Sequence, residues 1–243
     1  MPKQAKFEIA LLISLVILLA SAILAYAAPS GPVITFISNE TKQPSAARMI
    51  NTTGGSITTV VLNATTQNPR WKAYVGNVTG ALTLDDANDN TIFDWTLTNV
   101  IGEIYATRTS GNINWSGANC SNSTHISNEE FALNHTNRDD NITKTFNAQI
   151  HNGFYVGSRQ ILPNTCFSVH TYVNSTSQST KFEETILYDG TNTSNGNIIY
   201  ATPLEQDAYG FDNATYDFQM ILPEVGLAAW ASSTPYYFYV ELT

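Results

Sequence analysis

The chain has 243 residues, with 11 Lys and Arg set against 20 Asp and Glu, a formal net charge of −9. Phosphate binding needs grouped cations, and this chain has no Lys/Arg cluster, so its composition argues against nucleic acid as a partner. Only 13% of the residues are charged, so solubility has to come largely from Ser, Thr and Asn.

At the start, Lys3 and Lys6 precede an apolar run over residues 9–24, followed by Ala25-Tyr26-Ala27 and Ala28-Pro29. These are the three parts of a secretory signal, with cleavage expected after Ala27. Residues 9–28 also approach the ~20 residues that span a bilayer. An uncleaved anchor, with Lys3 and Lys6 inside and the rest outside, is therefore the rival reading. A pilin-type leader fits poorly, because Ala5 follows Gln4 rather than a basic residue and Glu8 sits close to the apolar start. All three put the bulk of the chain outside the cytoplasm. Beyond residue 27 the chain keeps 9 basic and 19 acidic residues, a net charge of −10.

Taken in order, residues 33–37 read as a short apolar strand, followed by a polar linker to about Ala46. Residues 56–65 read as a second strand, rich in Thr and Val. Residues 70–95 read as one long β-hairpin. Tyr74, Val78, Leu82 and Leu84 are apolar, while Asn77, Thr79, Ala81 and Thr83 between them are small or polar, the period of a half-buried strand. The run from Asp85 to Asn90 turns the chain, and Phe93, Trp95 and Leu97 then share a face. Residues 102–109 form another strand. Ser127 and Glu130 make a capping box, which predicts one short helix over residues 127–134.

Further strands are expected at about 153–162, 167–173, 181–188, 197–204, 216–222 and 236–242. In the last two, Tyr216, Phe218, Met220 and Leu222 face one way with Asp217 and Gln219 opposite, and Tyr236, Phe238, Val240 and Leu242 share a face. Turn signals separate the strands, as at Asp189-Gly190 and Ser194-Asn195-Gly196. The expectation is an all-β fold, a single β-sandwich or jelly roll with one short helix. Its organisation divides into residues 1–27 as signal peptide or membrane anchor, 28–46 as N-terminal strand and linker, and 47–243 as the sandwich.

Cys120 and Cys166, an even count in an exported chain, are expected to pair with each other. Asn39, Asn51, Asn63, Asn77, Asn114, Asn119, Asn122, Asn134, Asn141, Asn174, Asn192 and Asn213 each have Ser or Thr two residues later and are candidate N-glycosylation sites. Roughly half of the asparagines stand in such sequons, where Ser and Thr content alone would place about a fifth. The other reading is that a surface rich in Thr and Asn makes sequons by accident.

Asp86, Asn88 and Asn90 place oxygen atoms at alternate positions, as the start of an EF-hand loop does, which makes calcium a candidate cofactor. Thr91 stands where that loop needs glycine and Leu97 where it needs a bidentate Glu, and a plain turn explains the same residues. Paired carboxylates, the tools of glycosidases, occur at Asp85-Asp86, Glu129-Glu130, Asp139-Asp140 and Glu183-Glu184. Neighbours on a strand, however, point to opposite faces. His125, His135, His151 and His170 lack metal-ligand spacing, and no nucleophile elbow or phosphate loop is present. The chain reads as a non-enzyme.

The motifs W-K-A-Y-V-G-N-V-T-G-A-L-T-L-D-D-A-N at residues 71–88, G-E-I-Y-A-T-R at 102–108, T-Y-D-F-Q-M at 215–220 and Y-Y-F-Y-V-E-L at 236–242 resemble a family of exported surface proteins found mainly in archaea, with no assigned activity. The resemblance implies a secreted or surface-tethered β-protein and transfers no site residue. The chain departs from the pattern at residues 225–230, which are apolar where a more polar loop is expected. The leading expectation is a non-catalytic structural protein of the cell surface, a filament or surface-layer subunit that associates with itself or with other surface proteins by β-strand addition through residues 33–37. The alternative is a carbohydrate-binding or adhesive module.

Overall fold

The computed structural model describes residues 28–42, 46, 49–62, 67–95, 99–191, 197–225 and 233–242. The leader or anchor expected over residues 1–27 lies outside them, as do Asn63, Asn192 and most of the apolar run 225–230. Among the described residues no helix is long and apolar enough to cross a membrane.

The chain is mostly β, as its patterning implies. In order, the strands are β1 (Trp71–Gly76), β2 (Leu82–Asp85), β3 (Thr91–Trp95), β4 (Gly102–Thr107), β5 (Asn119–Cys120), β6 (Phe154–Val156), β7 (Arg159–Ile161), β8 (Ser168–His170), β9 (Glu183–Tyr188), β10 (Ile198–Pro203), β11 (Ala208–Tyr209), β12 (Thr215–Tyr216), β13 (Phe218–Pro223) and β14 (Tyr237–Leu242). Helices α1 (Ser123–Ala132) and α2 (Ile142–Thr145) lie between β5 and β6, after a single 3-10 turn at Trp115–Gly117.

A six-stranded antiparallel sheet organises the domain. Its order is β14-β4-β10-β9, and the far edge of β9 is shared by β5 and β8. Every residue of β4 is buried, as are five of six in β9 and in β10. Alternation here does not separate core from solvent; it separates two cores. Ile104, Ala106, Ile186, Ile198 and Tyr200 point to one face, where they meet Ile126 of α1, Leu133 at its C-cap, Ile142, Phe146 and, from β13, Met220 and Leu222. Tyr105, Leu187, Ile199 and Ala201 point to the other, where the β6–β7 hairpin supplies Phe154, Val156 and Ile161. Full burial of each large side chain contributes about 1.5–3 kcal/mol, so this doubly covered layer is the main store of stability.

Four expectations need correction. The first limb of the expected long hairpin does not pair locally. β1 pairs instead with β13, from Trp71↔Pro223 to Gly76↔Phe218, so that Trp71 and Tyr74 pack on the first core. Only β2 and β3 form the local hairpin. The chain breaks between these partners at Gly76 and Gly80, where a Cβ would lie 3.2 Å from the Phe218 ring and 2.2 Å from Leu242.

Residues 33–37 and the described part of 56–65 form no strand and are exposed. The chain does touch the sheet at Ser30, which exchanges backbone hydrogen bonds of 3.0 and 2.8 Å with Val240 on the outer edge of β14. In that antiparallel register residue 32 would be the next to pair. It is Pro32, which has no N–H to give, and the ladder stops.

The helix starts earlier than the Ser127 capping box predicts. Asn122 is its N-cap, accepting from the N–H groups of Thr124 and His125 at 3.0 Å each, while Nδ1 of His125 accepts the Asn122 N–H at 3.2 Å. Glu130 plays no part in capping α1, because it accepts the Thr143 N–H at 2.7 Å in the first turn of α2. α1 ends in a Schellman motif. Asn134 is left-handed at φ 57, and the His135 N–H bonds to the Glu130 carbonyl at 2.8 Å.

Gln219 is buried rather than solvent-facing. Its amide donates to Thr171 Oγ1 and the Tyr172 carbonyl, and its oxygen accepts from the Phe211 N–H, tying two loops to β13.

Cys120 and Cys166 are disulfide-bonded across 46 residues, joining β5 to the segment before β8. Closing a loop of this length restricts the unfolded chain by about 4 kcal/mol. Replacing both cysteines by serine is expected to lower unfolding free energy by that order in a guanidinium titration, with the fold retained.

Candidate functional site

Two neighbouring stretches carry apolar side chains that the fold leaves in solvent. Val33, Ile34, Phe36 and Ile37 are between 65% and 99% exposed, and Ile57, Val61 and Leu62 further on are similarly bare. Residues 31–42 have no strand partner among the described residues. Their root is fixed, since Ser30 is bonded to the edge strand and Pro29 is buried beside it.

The second stretch is the β2–β3 hairpin. Leu82 faces Trp95 and Leu84 faces Phe93 across the ladder, so all four lie on one face, and the Phe93 and Trp95 rings meet edge to face at 5.1 Å. These four side chains are 40–57% exposed. Neither strand pairs with any other among the described residues.

The turn of this hairpin holds the candidate calcium ligands. Asp86 Oδ1 accepts from the N–H groups of Asn88 and Asn90 at 2.8 and 2.9 Å, and both carboxylate oxygens accept from Asn90 Nδ2. The hydrogen bond from the Asn90 side chain, joined by the two backbone N–H groups, holds the Asp86 carboxyl below its ordinary range. Asp89 closes the turn at φ 62. The carboxylate is thus engaged by N–H donors. Among the described residues no group of three or more His, Cys, Asp or Glu is placed to hold a metal ion.

The paired carboxylates diverge as strand and loop geometry requires. Glu129 takes a bidentate contact from Arg108 at 2.6 and 2.7 Å, while Glu130 caps α2. Asp139 meets Lys144 and Asp140 meets Arg70. Glu183 accepts the Asn152 N–H, whereas Glu184 accepts the Ile221 N–H at 2.9 Å and so fastens β13 to the central sheet. Burial pushes the Glu184 carboxyl well above its ordinary value. His151 Nε2 accepts from the Thr165 and Cys166 N–H groups at 3.0 Å, so its hydrogen sits on Nδ1 and is given to the Asn152 carbonyl. His151, Asn152, Asn164 and Glu183 line a cleft of about 350 Å³, with these polar groups already committed to one another or to backbone.

A carboxylate pair that sequence reasoning missed lies across strands, Glu103 on β4 opposite Glu241 on β14. Glu241 accepts from Tyr105 Oη and the Gly157 N–H, while Glu103 is only 8% exposed and its Oε2 has no hydrogen-bond partner. Only strand order could have revealed the pair, and strand order is not a local property.

Of the ten sequons in described residues, nine present an exposed asparagine: Asn39, Asn51, Asn77, Asn114, Asn119, Asn122, Asn134, Asn174 and Asn213. Asn141 is buried, and its Oδ1 caps α2 through the Lys144 N–H. Neither a protein-family profile, a curated protein nor a solved structure matches this chain.

The buried carboxyls set a pH profile with two limbs. Burial, and then repulsion from Glu241, pushes Glu103 up to about 8 from an ordinary 4.5. Burial also opposes the Glu224 carboxylate, but hydrogen bonds from Lys72, Thr234 and Val225 outweigh it and hold the group at about 2. From 4.5 to about 8 the folded chain keeps a proton on Glu103 that the unfolded chain has lost, so stability falls as pH rises. The Glu224 contribution is present above 4.5 and is lost as pH falls towards about 2. The denaturation midpoint is expected to peak near pH 4–5, with Glu103→Gln flattening the alkaline limb and Lys72→Met the acid limb.

Proposed function

We propose that this protein is a non-catalytic structural subunit of the cell surface, exported or anchored through residues 9–28. In this reading it assembles with copies of itself into a filament or surface layer by β-strand addition. One observation carries the reading: residues 33–37, uncharged and apolar on both faces, project from a pinned root with four large apolar side chains in water. Exposed apolar stretches of this kind mark interaction surfaces, and an extended segment with free N–H and C=O groups suits a sheet edge. A sandwich-like domain with covered cores suits a subunit of this kind. Glycans on the nine exposed sequons would keep such a weakly charged surface soluble. The resemblance of the 71–88 and 236–242 motifs to exported archaeal surface proteins accords with this.

A second reading, a carbohydrate-binding or adhesive module, draws on a different place. The rings of Phe211 and Tyr216 stack with a 15° interplanar angle beside β11, where Tyr209 is exposed, and the loop carrying exposed Tyr172 bonds to Gly210 and Phe211. Aromatic faces of this sort can stack on sugar rings. Binding on a glycan array that disappears in Tyr209→Ala with Phe211→Ala would favour it.

For the leading reading, the full-length chain with Ile34→Asp and Phe36→Asp is expected to lose all filaments in negative-stain microscopy. Its melting temperature should match the parent's, because both side chains face solvent. Filaments that persist in this variant would refute strand donation by residues 33–37.

A further inference from the structure

The hairpin β2–β3 is incomplete as it stands. A lone two-stranded ribbon is marginal in water, and three strands or a covering layer are the usual requirement. Here, among the described residues, the ribbon has both outer edges unpaired, and Leu82, Leu84, Phe93 and Trp95 lie on one exposed face. Its charge excludes the simplest occupant, a second hairpin: residues 82–95 hold Asp85, Asp86, Asp89 and Asp94 and no Lys or Arg. Two such ribbons docked on each other would set four negative charges against four.

Residues 33–37 have the opposite properties. They carry no charge, and Lys42 and Arg48 follow against Glu40, leaving a positive excess over residues 28–62. Their five residues match the four of β2 and the five of β3. Ile34 and Phe36 point to one side and Val33 and Ile37 to the other, so either parity of pairing sets two large apolar side chains on the Phe93–Trp95 face. Within one chain the segment and the hairpin leave each other exposed, although both start near the end of β14: Ser30 bonds Val240 and Gly80 abuts Leu242.

Resting on the self-assembly reading above, we propose that the hairpin is the acceptor. Residues 33–37 of a second copy add along the free edge of β3 as a third strand and bury the flanks of Phe93 and Trp95. Donor and acceptor are different surfaces, so the contact is heterologous and propagates as an open chain rather than closing as a symmetric dimer.

Complementation between two full-length variants tests this. One variant, Ile34→Asp with Phe36→Asp, keeps its acceptor; the other, Phe93→Asp with Trp95→Asp, keeps its donor. In sedimentation velocity each alone is expected to run as monomer, and the equimolar mixture as a one-to-one dimer with nothing longer, while the parent forms long species. Melting curves certify the fold, and Phe93→Ser with Trp95→Ser gives the same readout should the aspartate pair fail that check. Long species from the hairpin variant alone would overturn the acceptor assignment and leave self-assembly standing. A parent that stays monomeric at every concentration would overturn both, and a mixture that stays monomeric would overturn the pairing of these two surfaces.

Discussion

Burial of one sheet on both faces is the constraint from which the rest of the structure follows. β4 has no residue in solvent and β9 and β10 have almost none, so each needs a complete layer on either side. The helical insertion with the β1–β13 ribbon supplies one layer, and the β6–β7 hairpin with the disulfide-bonded segment supplies the other. The covering elements are short and would not hold alone, so they are fastened by polar contacts of low exposure. Arg108 grips Glu129 to join β4 to α1, Glu184 holds the backbone of β13, and Lys72 reaches Glu224. Desolvating such groups is costly, and each is offset by a hydrogen-bonded partner.

The same constraint decides what becomes of the edges. β9 is closed along its far side by β5 and β8, and the disulfide holds β5 there. β14 is touched by the N-terminal chain at Ser30, and prolines at positions 29 and 32 flank the contact. The prolines prevent the N-terminal chain from continuing as a seventh strand of its own sheet. What the domain does not use internally is left, among the described residues, as an apolar segment without a strand partner and a two-stranded ribbon without a third strand.

Legibility in the sequence followed the locality of the signal. β4, β9, β10, β13 and β14 were readable because β-branched and aromatic residues run between clear turns, and the cysteine pair because the sequence holds just two cysteines. The partner of β1 was not readable, since Tyr74 and Val78 alternate equally well for a strand paired to its neighbour or to one far along the chain. Gln219 looked solvent-facing because a polar residue at an alternate position usually is; the loops that bury it come from residues 171 and 211. The helix start was misread because His125 does the work expected of glutamate in a capping box. In the candidate site, the apolar character of residues 33–37 was plain, but that it stays in water depends on Pro32 falling where the β14 ladder would continue. The isolation of the β2–β3 ribbon became visible only once β1 was seen to pair elsewhere.

If the sequons are glycosylated, as the proposed function holds, Asn141 carries a consequence for biosynthesis. Its side-chain oxygen starts α2 and the residue is buried, whereas the nine other sequon asparagines described stand in solvent. A transferase that meets the finished domain finds Asn141 closed. One that works on the chain as it emerges finds it open, and a sugar attached then would obstruct the burial of that turn. Occupancy at this single asparagine would therefore record the order of events, separating a chain decorated before it folds from one decorated afterwards.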